Sequence, residues 1–357
     1  MAFLEIKNVR LAGISAGVPL TILSNLDSQL STDYEPEAFV KQVGVKERRY
    51  SEILTTSDLC YGAAERLIAD LGWDKSDIDG IIFVSQNADF FLPATACILQ
   101  DRLGLSKECY ASDLNLGCSG WVYGLSYAAS LMTSGTIKKV LLMAGDAKRR
   151  TKQTLLDPIF GSAGTVTALE YDVNAKPMQF HFGTDGSGFD AIIIPDGGAR
   201  NQMTVDSFHE ELMDGKTLHR FQVRMKGMDV FSFGISTAPK TIKKLASNYG
   251  FEYQDADYFV FHQANMQMLG MIQKKLKIAD EKMPTCMYEY GNTSSASIPL
   301  TIVTQLKGKF ENKPTKFMCC GFGVGLSWGT VTIETNNVIV SDLVEMSDEE
   351  VDKKYVV

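Results

Sequence analysis

The chain has 357 residues, 45% hydrophobic and 22% charged, a balance that excludes a disordered or coiled-coil protein and a length that suits two lobes over one small core. A net charge of −8 argues against nonspecific nucleic-acid binding as the main role. The longest apolar runs, GIIFV at 80–84 and VLLMA at 140–144, fall far short of a membrane span, and Glu5, Lys7 and Arg10 leave no room for a signal-peptide core.

Helical and strand patterns alternate along the whole length. Residues 56–71 (TSDLCYGAAERLIADL) place apolar side chains at helical spacing behind a cap at Thr55 or Ser57. Gly72 leads to a strand at 80–85 (GIIFVS), then a strand-like segment at 110–116 and a helix over 119–134. Strands are predicted at 139–144, 164–171 and 190–194, and again at 258–262, 316–320 and 327–334. Amphipathic helices over 236–249, 265–277 and 295–307 separate several of them. Such alternation predicts an α/β layered fold with a largely buried sheet.

An internal echo organises these elements. Gly-Thr-Val-Thr stands at 164–167 and again at 329–332, preceded by KVLLMAG (139–145) and KFMCCGFG (316–323). Gly117-Cys118-Ser119 and Gly291-Asn292-Thr293 each open a helical stretch that closes at a glycine, Gly135 and Gly308. Further upstream, DGIIF (79–83) matches DYFVF (257–261). Four correspondences in one order indicate a duplicated half. The boundary is expected near residue 175, giving halves at 1–175 and 176–340, and the duplication sets Cys118 against Asn292. The last residues, 341–357, form an acidic tail that reads equally as an appendage or a packing arm.

Seven cysteines without a CxxC fit reduced thiols in a cytoplasmic protein. Cys118 alone sits on a glycine-flanked turn from strand to helix, where the helix dipole favours a thiolate nucleophile. Cys60, Cys97, Cys109, Cys286, Cys319 and Cys320 default to core packing. His262 ends the apolar strand YFVF, the end at which α/β sheets present ligands; His181, His209 and His219 read as surface or structural. Asn292, in GNTS, serves as a turn or cap on its own and as a hydrogen-bond donor in the duplicated frame. Residues 321–329 (GFGVGLSWG) run from strand to strand, which excludes a dinucleotide loop and suits backbone amides approaching a reacting carbonyl. The GTDGSG run at 183–188 reads as a tight turn. No Cys/His spacing suggests a metal site.

LNLGCSGWVYGLSYA, FVFHQAN, YGNTSSASIP and GFGVGLSWG, in this order, resemble the β-ketoacyl-acyl-carrier-protein synthase III family of the thiolase superfamily. The likeness runs over roughly residues 1 to 335 and includes GVKERRY (44–50) and LPATAC (92–97). It implies a five-layered αβαβα fold of two duplicated halves, a homodimer, and no cofactor beyond acyl-CoA or acyl-carrier-protein thioester substrates. It also implies a Cys118-His262-Asn292 triad that joins an acyl primer to malonyl-acyl-carrier protein with loss of carbon dioxide. A cysteine thioester splits one hard condensation into two easier steps. The amides of Cys118 and Val324 would hold the oxyanion, and His262 and Asn292 would donate to an enolate. The resemblance further assigns Phe322 and Gly323 to the substrate wall and Leu92 to the partner protomer's acyl pocket. Lys274 and Lys275 would face an acidic carrier protein, although a solvated helix face explains them equally. The family's adenine-holding tryptophan and arginine are missing near 36–39 and 152–157, its FGD is Phe160-Gly161-Ser162, and the arginine after HQAN is Gln267. These departures point away from acetyl-CoA as primer. Two alternatives are an acyltransferase of the same fold acting on an oxygen or nitrogen nucleophile, and a non-catalytic partner subunit of a heteromeric synthase.

Overall fold

The computed structural model describes residues 2–27, 35–147, 158–213 and 216–355. Strands β1 (Ala2–Ile6) and β2 (Val9–Pro19) open the chain, followed by helix α1 (Thr56–Leu71) and strand β3 (Gly80–Val84). Helix α2 (Thr95–Arg102), strand β4 (Tyr110–Leu114), helix α3 (Gly120–Met132) and strands β5 (Lys139–Asp146), β6 (Ala163–Tyr171) and β7 (Met178–Thr184) come next. The remainder contains α4 (Gly227–Tyr249), β8 (Tyr258–Phe261), α5 (Met266–Leu276), α6 (Ser297–Leu306), β9 (Thr315–Gly323), β10 (Ser327–Thr335), β11 (Ile339–Val340) and β12 (Val344–Met346).

Local chemistry sets the helix ends. Thr55 caps α1 in a capping box with Asp58: the Asp58 amide donates to Thr55 Oγ1 and the Thr55 amide to Asp58 Oδ2. Gly72, at φ 63°, closes it. Gly135 and Gly308, beyond the ends of α3 and α6, also take the left-handed conformation.

Two sheets carry the duplication. In the first, the order β2-β6-β5-β3 runs through two antiparallel pairs and one parallel pair, with β4 at the edge. In the second, β7-β10-β9-β8 repeats that order and those orientations. The two GTVT copies fall on β6 and β10, which occupy the same place in their sheets. Helices α3 and α6 lie between the sheets, where Trp121, Leu125, Ile298 and Leu300 join Ile82, Leu142, Cys319 and Val331 in one buried cluster. Helices α1 and α2 cover the outer face of the first sheet against Ile81, Phe83 and Met143. Helices α4 and α5 cover the second against Phe259, Phe261 and Cys320. Five layers result, α/β/α/β/α. Cys319 and Cys320 face opposite clusters, as strand alternation requires.

Several elements depart from the sequence expectation. The predicted strand over 190–194 is only Ile192–Ile193, paired with Arg224–Met225 away from both sheets, and Ile194 is exposed; glycines before it and Pro195 after it stop the apolar run. Helix α4 starts at Gly227, ahead of the expected 236. Its opening GMDVFSFGIS has poor helix propensity and is held by packing, Gly234 lying against Met268 and Phe322. Strand β2 is interrupted by glycines because it must be small where it meets α1: a Cβ on Gly17 would lie 2.4 Å from the Leu59 carbonyl oxygen.

The sheets exchange their terminal strands. Strand β1 pairs with β7 in the second sheet, and β11 and β12 pair with β2 in the first. The acidic tail is therefore a packing arm over its described part. Met346 is buried against Gly62 of α1, and Lys354 and Tyr355 both bind Asp101.

Candidate functional site

Cys118 stands in the turn before α3, whose first bonds are Gly120 N–H to Gly117 O at 2.7 Å and Val122 N–H to Ser119 O at 3.1 Å. The thiol is half-buried, at the positive end of a 13-residue helix. It lies on β9: a Cβ at Gly323 would be 2.6 Å from Cys118 Cβ and 2.8 Å from Sγ. A Cβ at Gly321 would be 2.8 Å from the Cys118 carbonyl oxygen. The turn after β9 is fastened to the same helix start. Ser119 and Ser327 hydroxyls lie 2.7 Å apart, and Ser327 donates to Val324 O at 2.8 Å.

His262 follows β8, its amide donating to Cys320 O at 2.9 Å. The ring is buried and meets Phe322 edge-on at 5.7 Å between centroids. Its Nδ1 is 2.8 Å from Ser297 Oγ. Burial pushes the imidazole down to about 4, a hydrogen bond to the Ser294 backbone partly opposing it. The ring is therefore neutral at pH 7. The rest of HQAN is scaffolding: Gln263 donates to Phe261 O at 2.8 Å, and Asn265 caps α5 by accepting from Met268 N–H at 2.8 Å.

Asn292 is clamped through its backbone by the FGS segment. Its amide donates to Ile159 O at 2.8 Å and its carbonyl accepts from Gly161 N–H at 3.1 Å. Gly161 has no room for a side chain, since a Cβ would lie 2.0 Å from Tyr290 O. Buried Arg48 steadies the clamp, reaching Phe160 O at 3.4 Å and Asn25 Oδ1 at 3.0 Å. The Asn292 carboxamide oxygen accepts from Ser294 N–H at 2.9 Å, which leaves its NH₂ as the outward donor.

Ser294 and Phe322-Gly323 knit the three side chains together. Ser294 bonds Asn292 Oδ1, takes the Ser297 hydroxyl on its carbonyl at 2.8 Å, and has its own Oγ 3.4 Å from where a Gly117 Cβ would be. Gly323 touches the Cys118 sulfur while its neighbour Phe322 touches His262. Val324 continues the same turn.

Other expected site residues lie elsewhere in the single chain. Leu92 is 82% exposed beside Phe91 at 98%, outside the group around Cys118. Lys274 and Lys275 are exposed near the end of α5, Lys275 Nζ donating to Ile235 O at 2.9 Å. Residues 152–157 lie outside the described residues. His181 is buried and bonded to Thr241 at 2.6 Å. The core default fails for Cys97, which is exposed on α2, and holds only in part for half-buried Cys109. Among the described residues no group of three or more His, Cys, Asp or Glu could hold a metal ion, and no helix is long and apolar enough to cross a membrane.

Sequence reasoning missed Ser294, Ser297 and the Arg48–Phe160 brace. The hydroxyl-rich run TSSAS after Asn292 was the available signal, because small polar residues in a buried helix start have to bond to something nearby.

A solved 3-oxoacyl-(acyl-carrier protein) synthase from Burkholderia xenovorans superposes with a TM-score of 0.88 at 36% identity, covering 97% of this chain and 99% of that one. A solved 3-oxoacyl-(acyl-carrier-protein) synthase III gives 0.85 at 33%, covering 92% and 100%. The duplicated sheets around a buried helix pair, with a cysteine at one helix start, define a thiolase-fold enzyme. Residues 112–186 match the family model 3-oxoacyl-[acyl-carrier-protein] synthase III, and 246–335 match its C-terminal counterpart. A putative 3-oxoacyl-[acyl-carrier-protein] synthase 3 of Campylobacter jejuni is 33% identical over 93% of this chain and 96% of its own. The β-ketoacyl-[acyl-carrier-protein] synthase III of Clostridium acetobutylicum is 32% identical over 92% and 99%. This chain belongs to the 3-oxoacyl-[acyl-carrier-protein] synthase III family.

Proposed function

We propose that this protein is an acyltransferase that condenses an acyl thioester primer with malonyl-acyl-carrier protein, releasing carbon dioxide. What supports the reading is that Gly323 lies against the Cys118 side chain, its neighbour Phe322 meets the His262 ring, and Ser294 bonds the Asn292 carboxamide. In the first half-reaction Cys118 takes the acyl group, the amides of Cys118 and Val324 holding the oxyanion. In the second, the malonyl carboxylate leaves as carbon dioxide and the enolate oxygen is held by Asn292 NH₂ and His262. Phe322, against the imidazole, excludes water from the carboxylate. Two donors without an orienting carboxylate suit an enolate better than hydrolysis.

Leu92 and Phe91, too exposed to be at rest in a monomer, support a homodimer in which this loop enters the partner's acyl pocket. The open edge of β4 supports the same assembly. Lys274 and Lys275 offer positive charge to an acidic carrier protein. The reading uses thioester substrates with no resident cofactor, places the enzyme in the cytoplasm, and divides the chain near residue 175.

The test is intact mass after exposure to a panel of acyl-CoA and acyl-carrier-protein donors, then malonyl-carrier protein. An adduct absent from Cys118→Ala, discharged with carbon dioxide and a β-ketoacyl product, is the expected result. Discharge onto alcohols or amines alone would make it an acyltransferase of the second kind. No adduct with any donor would leave a partner subunit.

A further inference from the structure

Gly117, the residue before the nucleophile, has two polar neighbours on its bare face. A Cβ there would lie 2.3 Å from Gln86 Oε1, 2.9 Å from Gln86 Cδ and 3.4 Å from Ser294 Oγ. Neighbouring Cα atoms are ~3.8 Å apart, so the Gln86 carboxamide carbon stands within about 8 Å of the Cys118 Cα. The first few carbons of an acyl chain on the sulfur cover that span. The backbone aims Gln86 from the end of β3, where buried Asp146 pins the turn. Asp146 Oδ1 accepts from Ser85 Oγ and Gln86 N–H at 3.0 Å each and from Asn87 Nδ2 at 2.9 Å. Neither the Gln86 carboxamide nor the Ser294 hydroxyl has a hydrogen-bond partner among the described residues. Gly323, Phe322, His262 and Asn292 line the site from the second half, whereas Gln86 comes from the first, at a strand end of the kind where α/β sheets present ligands. It is exposed in the single chain, as the wall of a pocket that a partner's loop completes has to be.

We infer that Gln86 is a specificity-determining residue that selects an acyl primer bearing a hydroxyl group on its third or fourth carbon over a plain alkyl primer. The inference rests on the condensation proposed above and names the class of primer it takes. A carboxamide offers a carbonyl acceptor and two N–H donors, so a hydroxyl can donate to Oε1 and accept from Nε2 at once. A keto oxygen in the same place would use Nε2 alone. An alkyl chain would use neither group: it strips away the water that serves them in the empty pocket and returns no hydrogen bond. Sites built to bond a substrate hydroxyl reject the analogue lacking it for this reason. Gly117 is part of the same device, because any side chain there would push the carboxamide off the turn that carries Cys118. The hydroxyl takes no part in bond making, and both half-reactions proceed as described.

The test is kcat/KM for adduct formation on Cys118, read by intact mass of the full enzyme. The donors are butyryl, 3-hydroxybutyryl and 4-hydroxybutyryl thioesters on one carrier, each followed by malonyl-carrier protein. The wild-type enzyme should load one of the hydroxybutyryl groups about 10- to 100-fold faster than butyryl. Gln86→Met, unbranched and close in volume, should erase that preference, chiefly by slowing the hydroxybutyryl donor, and Gln86→Ala should reduce it in the same direction. Gln86 is exposed, so neither substitution opens the core. A wild-type preference for butyryl, or a ratio that neither variant moves, overturns the inference and leaves the condensation standing where β-ketoacyl products still form. The expected preference in adducts that release no carbon dioxide with malonyl-carrier protein would instead sink the condensation and leave the role of Gln86 standing. No adduct from any donor sinks both.

Discussion

Gly323→Ala isolates the contact that holds the nucleophile. The added methyl would start 2.6 Å from Cys118 Cβ and 2.8 Å from its sulfur, roughly 1 Å inside ordinary carbon contact. Neither side can retreat easily. Cys118 begins a helix buried between both sheets, and Gly321 on the same strand would meet the Cys118 carbonyl oxygen at 2.8 Å if it too carried a Cβ. The relief available is rotation of the thiol or a small separation of strand and helix. Overpacking of this kind costs about 1–3 kcal/mol, which a domain of this size survives. Displacing the sulfur by about 1 Å costs on the order of 100-fold in rate. The assay is the rate of acyl-adduct formation on Cys118 by mass, at saturating donor, beside a denaturant unfolding curve. Gly62→Ala is the control, because its Cβ would press only on the flexible Met346 sulfur, at 2.6 Å, far from the thiol. A Gly323→Ala enzyme that folds and acylates at the wild-type rate would refute the argument.

Asn292→Asp keeps an oxygen for the Ser294 amide but removes the NH₂ donor. Decarboxylation, followed as carbon dioxide release, should fall by about 10²–10³ while acyl transfer to Cys118 changes far less; equal losses would contradict the division of roles. The depressed His262 value predicts a pH effect on stability. The unfolded chain binds this proton near pH 6.5, whereas the folded protein accepts it only near about 4. The contribution is complete above pH 6.5 and lost as pH falls toward 4, reaching roughly 2.5 kcal/mol by pH 4.5. The wild-type unfolding free energy should therefore drop by that much more than that of His262→Gln between pH 7 and 4.5, and parallel curves would rule it out.

The parts of the fold legible in the sequence were those whose local pattern agrees with the final packing. The GTVT copies lie on strands in equivalent places, although Val166 packs outward and Val331 packs between the sheets. Strand β2 was not legible, since its Gly13 and Gly17 answer to α1 and not to any strand preference. The early turns of α4 escaped for a related reason, being stabilised by Met268 and Phe322 against their own propensity. At the site, the three reactive side chains announced themselves by type and setting. The parts holding them did not, because a serine at 297 looks like any helix-start serine until His262 is known to be 2.8 Å away. Cys97 misled because cysteine is usually buried, yet it lies on the solvent face of α2.

The exchange of terminal strands bears on how the molecule is made. Strand β1 precedes its neighbour β7 by some 170 positions, so its residues must wait unpaired during synthesis. The first sheet is closed along β2 by residues 339–346, which leave the ribosome long after β2 itself. Neither lobe can be finished on its own, and the long-range pairings defer cooperative assembly until nearly the whole polypeptide is available. A nascent chain halted at the midpoint should be a chaperone client with its β2 edge still open.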